Sequence, residues 1–224
     1  MLRQAWAIFA KDVRMEWRGK EALNAAIAFA LVVLILFSFA IDPTSEQLEE
    51  ISGGLLWILF AFSGVLLLNR SFSREQANDT LEVLMSLRVR PSALLLGKAL
   101  ANLIFILLVE AICLPVFGVL YNIDMTKQPW WLLMTILLAS WAIAVIGTVF
   151  AAMTVNLRLR ELMLPVIVYP MIIPAIAAAM RLTNLAIAGQ APVGDDLIWV
   201  RLLVGFDIIF TALALGLIDT VLMD

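Results

Sequence analysis

The chain has 224 residues, 63% of them hydrophobic, a mean hydropathy of +1.02 and a formal net charge of −3. A water-soluble domain is roughly half apolar and cannot bury such an excess in one core, so much of this surface needs lipid as its solvent. There is no histidine and one cysteine, Cys113, which excludes an internal disulfide and a zinc signature and removes the commonest general base.

Residues 1–20 read as a surface helix. Leu2, Trp6, Phe9, Val13 and Trp17 step by four, three, four and four and share one face, with Arg3, Lys11, Arg14 and Arg18 on its flank. The pattern predicts an amphipathic helix on the inner leaflet, tryptophans at the headgroup level, rather than a plain cytoplasmic extension of the first span. Ser38-Phe39-Ala40 offers a small-x-small cleavage site. The apolar run before it is too long for a signal peptide, however, and is read as a retained span. The start of the chain is not Arg/Ser-rich like a transit segment, which favours a bacterial cytoplasmic (inner) membrane over a mitochondrial one.

A bilayer core of about 30 Å takes roughly 20 helical residues. Six apolar runs qualify, at about 23–41, 53–69, 99–121, 130–155, 162–180 and 198–218. Basic residues collect before span one, between spans two and three (Arg70, Arg74, Arg88, Arg90, Lys98) and between spans four and five (Arg158, Arg160). Lys127, Arg181 and Arg201 lie on the other side, and the loop 42–52 is acidic with no basic residue. The positive-inside rule then places both termini in the cytoplasm. The expected fold is an all-α, multi-pass integral membrane protein of six transmembrane helices, forming a single permease domain over 1–224. No repeat is visible, and the bilayer rather than nucleic acid is the expected partner surface.

Between spans two and three, Glu75, Asp79 and Glu82 recur at i, i+4 and i+7, opposite Ala77, Leu81 and Leu84. A helix over 72–87, ended by Pro91, would present acidic and apolar faces to the cytoplasm. Such a helix suits either a groove on a partner or the membrane surface. Within the spans, Glu110 sits near the middle of span three. A charged carboxylate there costs about 2.5–3.5 kcal/mol, so it is expected to face protein or water, protonated or paired with an Asn or Arg. It reads either as a pathway residue or as a polar helix contact. Asp207 in span six raises the same question. Pro165, Pro170 and Pro174 each remove a backbone donor from span five and predict a kinked or broken helix, a hinge or simply a bend. Gly147 and Ala151 offer a small-xxx-small contact in span four.

Enzyme motifs do not emerge. Gly97-Lys98 is followed by Ala99 and lacks the earlier glycine of a Walker A loop, and no G-x-S-x-G elbow occurs. Any ATP used here is hydrolysed by another chain. Methionines are ordinary core fillers, and none is assigned as a haem ligand.

The segment Arg70-x-Phe72-x-x-Glu75, Asp79-Thr80-Leu81-Glu82-x-Leu84 and Leu96-x-Lys98 resembles the haem exporter protein B family, CcmB, permease subunits of the cytochrome c maturation ABC transporter. Length, basic N-terminal helix, six spans and the prolines at Leu164-Pro165 and Ile173-Pro174 extend the resemblance over the whole chain. Family members often have glycine where this chain has Asp79, and a glycine-rich loop where it has Asn156-Leu157-Arg158-Leu159-Arg160. The resemblance implies two copies of this subunit with two of the ATPase CcmA, together with CcmC, CcmD and the haem chaperone CcmE. It implies haem as cargo, and ATP acting through the partner to drive haem delivery or release of the loaded chaperone; the lack of histidine argues separately against tight axial haem ligation, so no tightly bound cofactor is expected. Phe72, Glu75, Asp79, Leu81, Glu82 and Leu84 become the expected ATPase-coupling residues. The competing readings are an exporter-type permease for a lipid, polysaccharide or drug, and a non-transporting membrane scaffold.

Overall fold

The computed structural model describes residues 1–41, 46–71, 90–155, 157 and 159–223. All regular structure among them is helical. The elements are α1 (Leu2–Gly19), α2 (Glu21–Ala40), α3 (Glu46–Ser71), α4 (Pro91–Leu120), α5 (Pro129–Met153), α6 (Arg160–Ile187), a 3₁₀ turn at Gly194–Asp196 and α7 (Leu197–Met223). Six of these helices, α2 to α7, are long and apolar enough to cross a membrane, as the six apolar runs predict.

The first helix ends where Lys20 adopts a left-handed conformation (φ 54°), and α2 starts at the next residue. Glu16 holds this corner. Its carboxylate accepts from the backbone N–H groups of Ala22 and Leu23, both at 3.1 Å. Those N–H groups have no partner within their own helix, and the positive end of the α2 dipole favours an acid there.

The termini of several spans differ from the hydropathy reading, and the helix of the second begins at Glu46, seven residues before the expected 53. The third span begins at Pro91, eight residues earlier than expected. Proline suits the first helical position because its missing N–H would find no partner there anyway. The fifth extends to Ile187, through Arg181 and Asn184, because both polar side chains find partners beyond it.

The fifth span is one continuous helix through Pro165, Pro170 and Pro174, so the broken alternative is not what the chain adopts. Its packed face runs Leu164, Val168, Ile172, Ala175, Ala179 and Leu182, all buried, and is held against α3 and α5. Pro170 and Pro174 lie on the exposed side and Pro165 at its edge, so the missing donors fall outside that packed seam.

Glycines set the closest approaches. A Cβ on Gly147 of α5 would collide with Cδ1 of Leu68 on α3. One on Gly53 would lie 2.5 Å from the Met180 carbonyl oxygen of α6. Close backbone approach of this kind is how helices associate where lipid supplies no hydrophobic drive.

Candidate functional site: the intramembrane polar core

The middle of the bundle is apolar around Ile106, Ile143 and Ala144, and polar side chains are set into it in pairs. Glu110 of α4 is 1% exposed. Its partner is Ser140 of α5, whose Oγ lies 2.7 and 2.8 Å from the two carboxyl oxygens. The expected Asn or Arg is therefore replaced by a serine hydroxyl. Eight residues towards the start of α4, the Asn102 side-chain amide donates to Thr148 Oγ1 at 2.8 Å. Thr148 in turn donates to the Ala144 carbonyl of its own helix at 2.5 Å. Eight residues of helix span about 12 Å, so the two pairs tie α4 to α5 at two depths.

On its next residue α5 also binds α7. Trp141 Nε1 donates to Thr211 Oγ1 at 3.0 Å. One turn before Thr211 stands Asp207, 7% exposed, with neither carboxyl oxygen meeting a hydrogen-bond partner among the described residues. Consecutive residues of α5 thus reach α4 on one side and α7 on the other. A buried carboxyl in hydrocarbon is costly even when hydrogen-bonded, so two of them in one bundle mark this region as the chemically distinctive part of the membrane domain.

The other interspan bonds lie nearer one end. Trp57 Nε1 of α3 donates to Thr183 Oγ1 of α6 at 2.8 Å. Asn184 bridges α6 to α3, accepting from Gly53 N–H at 2.7 Å and donating to the Glu50 carbonyl at 2.5 Å. Tyr121 donates its hydroxyl to the Leu34 carbonyl of α2 at 3.0 Å.

At the opposite end, α1 is docked on the start of α4. Lys98 is 1% exposed and pairs with Asp12 of α1 at 3.2 Å. One residue earlier, Gly97 lets α1 sit close: a Cβ there would lie 2.6 Å from the Ala5 carbonyl oxygen and 2.8 Å from Ile8 Cβ. The first helix therefore has two working faces. Ala5, Ile8 and Glu16 are buried against the bundle; of the expected surface face, Leu2, Trp6 and Trp17 stay exposed, whereas Phe9 and Val13 are half-buried and pack against the core.

The expected coupling residues Phe72, Glu75, Asp79, Leu81, Glu82 and Leu84 lie outside the described residues. Their connection is fixed by what flanks them: the segment joins the end of α3 at Ser71 to the start of α4 at Pro91, and α1 is docked on that start. Sequence reasoning missed Ser140, Asn102 and Thr148. The one signal was spacing, since Asn102 and Glu110 on one span, and Ser140 and Thr148 on the next, are each eight apart.

Comparison with known proteins covers nearly the whole molecule. The family model for CcmB protein matches residues 3–218. Proteins named Heme exporter protein B from Rhodobacter capsulatus and Paracoccus denitrificans are each 30% identical, over 185 and 186 residues. These matches cover 83% of this chain, and 84% and 85% of the respective relative. A protein of the same name from Pseudomonas aeruginosa is 28% identical over 210 residues, 93% of either chain. With its six spans, its docked N-terminal helix and a family match over all but the ends, the chain belongs to the CcmB protein family.

Proposed function

We propose that this chain is the membrane permease of an ABC complex that serves c-type cytochrome maturation in a bacterial inner membrane, with haem as the cargo handled by the complex. The observation that carries the reading is the family match over residues 3–218, supported by relatives whose printed name is Heme exporter protein B. ATP hydrolysis belongs to a separate subunit, CcmA, paired two to two with this one. CcmC, CcmD and the chaperone CcmE complete the assembly.

In this reading the segment 72–87 docks on the ATPase. Glu75, Asp79 and Glu82 offer it charge, and Phe72, Leu81 and Leu84 offer it apolar anchors. A push on that segment would reach α4 through its N-terminus and α1 through the Lys98–Asp12 pair. From α4 it would reach α5 and α7 through Glu110–Ser140 and the Trp141–Thr211 bond beside Asp207. Pro165, Pro170 and Pro174 would let α6 flex on its exposed side. Energy from ATP would serve release of the haem-loaded chaperone from CcmC.

The test is a haem stain of membrane proteins from cells lacking this gene, with CcmE probed on the same blot. Loss of c-type cytochromes with persistence of haem-loaded CcmE is the expected result. Normal c-type cytochromes would overturn the proposal.

A further inference from the structure

At the end of the bundle away from α1, an apolar cleft of about 470 Å³ opens between α2, α3 and α6. That volume falls within the roughly 300–1,000 Å³ of small-molecule sites. Its walls are Val33 and Phe37 of α2, Gly54 and Ile58 of α3, and Met180 of α6. Phe37 and Ile58 are exposed at its rim, so the cleft opens onto the outer surface of the membrane-spanning helices. At the headgroup end it meets a second, polar basin of about 380 Å³ lined by Arg181, Gln190 and the side of Asn184, and Glu50 and Asn184 line both.

The chemistry of the two chambers is complementary to one molecule. The slot matches an acyl chain. In the basin, Asp196 accepts from Nε and Nη2 of Arg181, at 3.2 and 3.1 Å, which holds the half-exposed guanidinium at the mouth. Arginine has five N–H donors, and this pairing takes two of them, so donors remain for a phosphate. Glu50 lines the same basin and is its acidic residue. With Glu50 and Asp196 beside one arginine, a purely anionic headgroup would meet net repulsion. A zwitterion would not, and a primary ammonium donates hydrogen bonds to Glu50 and Gln190 that a quaternary one cannot.

We propose that this cleft is a binding site for one phospholipid with an ammonium-bearing zwitterionic headgroup, its acyl chain in the α2–α3–α6 slot, its phosphate on Arg181 and its ammonium on Glu50. The site stands independently of the transported cargo, because it rests on the lining residues alone.

The test is lipid retention by the full-length protein, followed by native mass spectrometry. The detergent-solubilised protein is offered an equimolar mixture of phosphatidylethanolamine, phosphatidylglycerol and phosphatidylcholine with identical acyl chains. Phosphatidylethanolamine is retained over the other two by roughly tenfold, the factor carried by one charge-assisted hydrogen bond. Arg181→Ala removes most of that retention, and Glu50→Gln abolishes the preference over phosphatidylcholine. Gly54→Leu and Ile58→Trp fill the slot from two sides and lower retention of all three lipids. A Cβ on Gly54 would lie 2.9 Å from Met180 Cε; Ile58→Trp leaves that contact alone, so the result does not depend on Gly54 tolerating a side chain. Arg201→Ala, a cation on the same side but outside the cleft, changes nothing. Equal retention of the three lipids, or retention indifferent to Arg181→Ala, overturns the proposal. Full displacement by glycerophosphoethanolamine, which has the head without the chains, overturns it as well. Displacement of lipid by haem with no headgroup preference would assign the cleft to the cargo instead and also overturn it.

Discussion

Ser140 meets both carboxyl oxygens of Glu110, at 2.7 and 2.8 Å, inside a seam where both residues are sealed from solvent and lipid. The Asn102–Thr148 pair repeats the contact eight residues away, in opposite directions along α4 and α5, as antiparallel helices in register require. Removing the hydroxyl leaves a buried carboxyl without this partner, which costs about 1–3 kcal/mol, whereas removing both polar groups together costs far less. Ser140→Ala should therefore lower the unfolding temperature in detergent, and Ser140→Ala with Glu110→Leu should recover most of the loss. Equal destabilisation by the single and double variants would mean that the two residues are not coupled. Glu110→Gln keeps the size and a hydrogen bond. We expect it to accumulate normally while cells stain weakly for c-type cytochromes; a wild-type stain would reduce Glu110 to a packing contact.

Gly97 makes a sharper test of the docked first helix. A Cβ there would lie 2.6 Å from the Ala5 carbonyl, and backbone cannot step aside as a flexible side-chain tip can. Gly97→Val should lift α1 off α4, expose the buried Lys98–Asp12 pair and open the 1–20 segment to protease. Gly205→Val is the control, because nothing lies within 4 Å of a Cβ at that position. Protease resistance equal to wild type in both variants would show that α1 is not held by this contact.

The six spans were legible because hydrocarbon demands about 20 apolar residues in a row, and few other structures leave that record. Span ends were not. Hydropathy sees Lys98 and Arg181 as polar stops, but each is carried inside a helix by an aspartate, Asp12 and Asp196, that lies elsewhere in the chain. Glu110 was legible as an anomaly, and its partner was not, because one serine in an apolar run costs little and stands out from nothing. The same holds for the Ala5–Ile8 face of α1. The tryptophans dominate the sequence pattern, while the docking face is small and works through the glycine it meets on another helix.

Orientation follows from charge and can be read with reagents. Six spans put both ends on one side, and the basic segments put that side in the cytoplasm. With the buried Cys113 replaced by alanine, single cysteines at Lys127 and Gln190 should react with an impermeant maleimide from the outside. Cysteines at Lys20 and Arg90 should react only after permeabilisation. Labelling at position 20 in intact cells would invert the topology and with it the proposed place of the ATPase.

The proposed coupling segment 72–87 carries the strongest functional consequence. Its flanks, Ser71 and Pro91, end one span and begin the next, and the first helix is pinned to the second of these through Lys98 and Asp12. In the proposed mechanism, a partner that pulls on 72–87 would move α4 and α1 together. If Glu75 and Glu82 dock on the ATPase as proposed, reversing both charges would replace attraction by repulsion at two positions, a change of several kcal/mol across an interface. Glu75→Lys with Glu82→Lys should abolish co-purification with the ATPase while leaving the membrane domain folded, as judged by unchanged thermal unfolding. Leu81→Ala with Leu84→Ala should weaken the complex without the salt dependence that the acidic pair imparts. Unchanged co-purification and unchanged ATPase stimulation in the charge-reversed variant would move the docking surface elsewhere, and α1, docked beside the start of α4, is where the search would turn next.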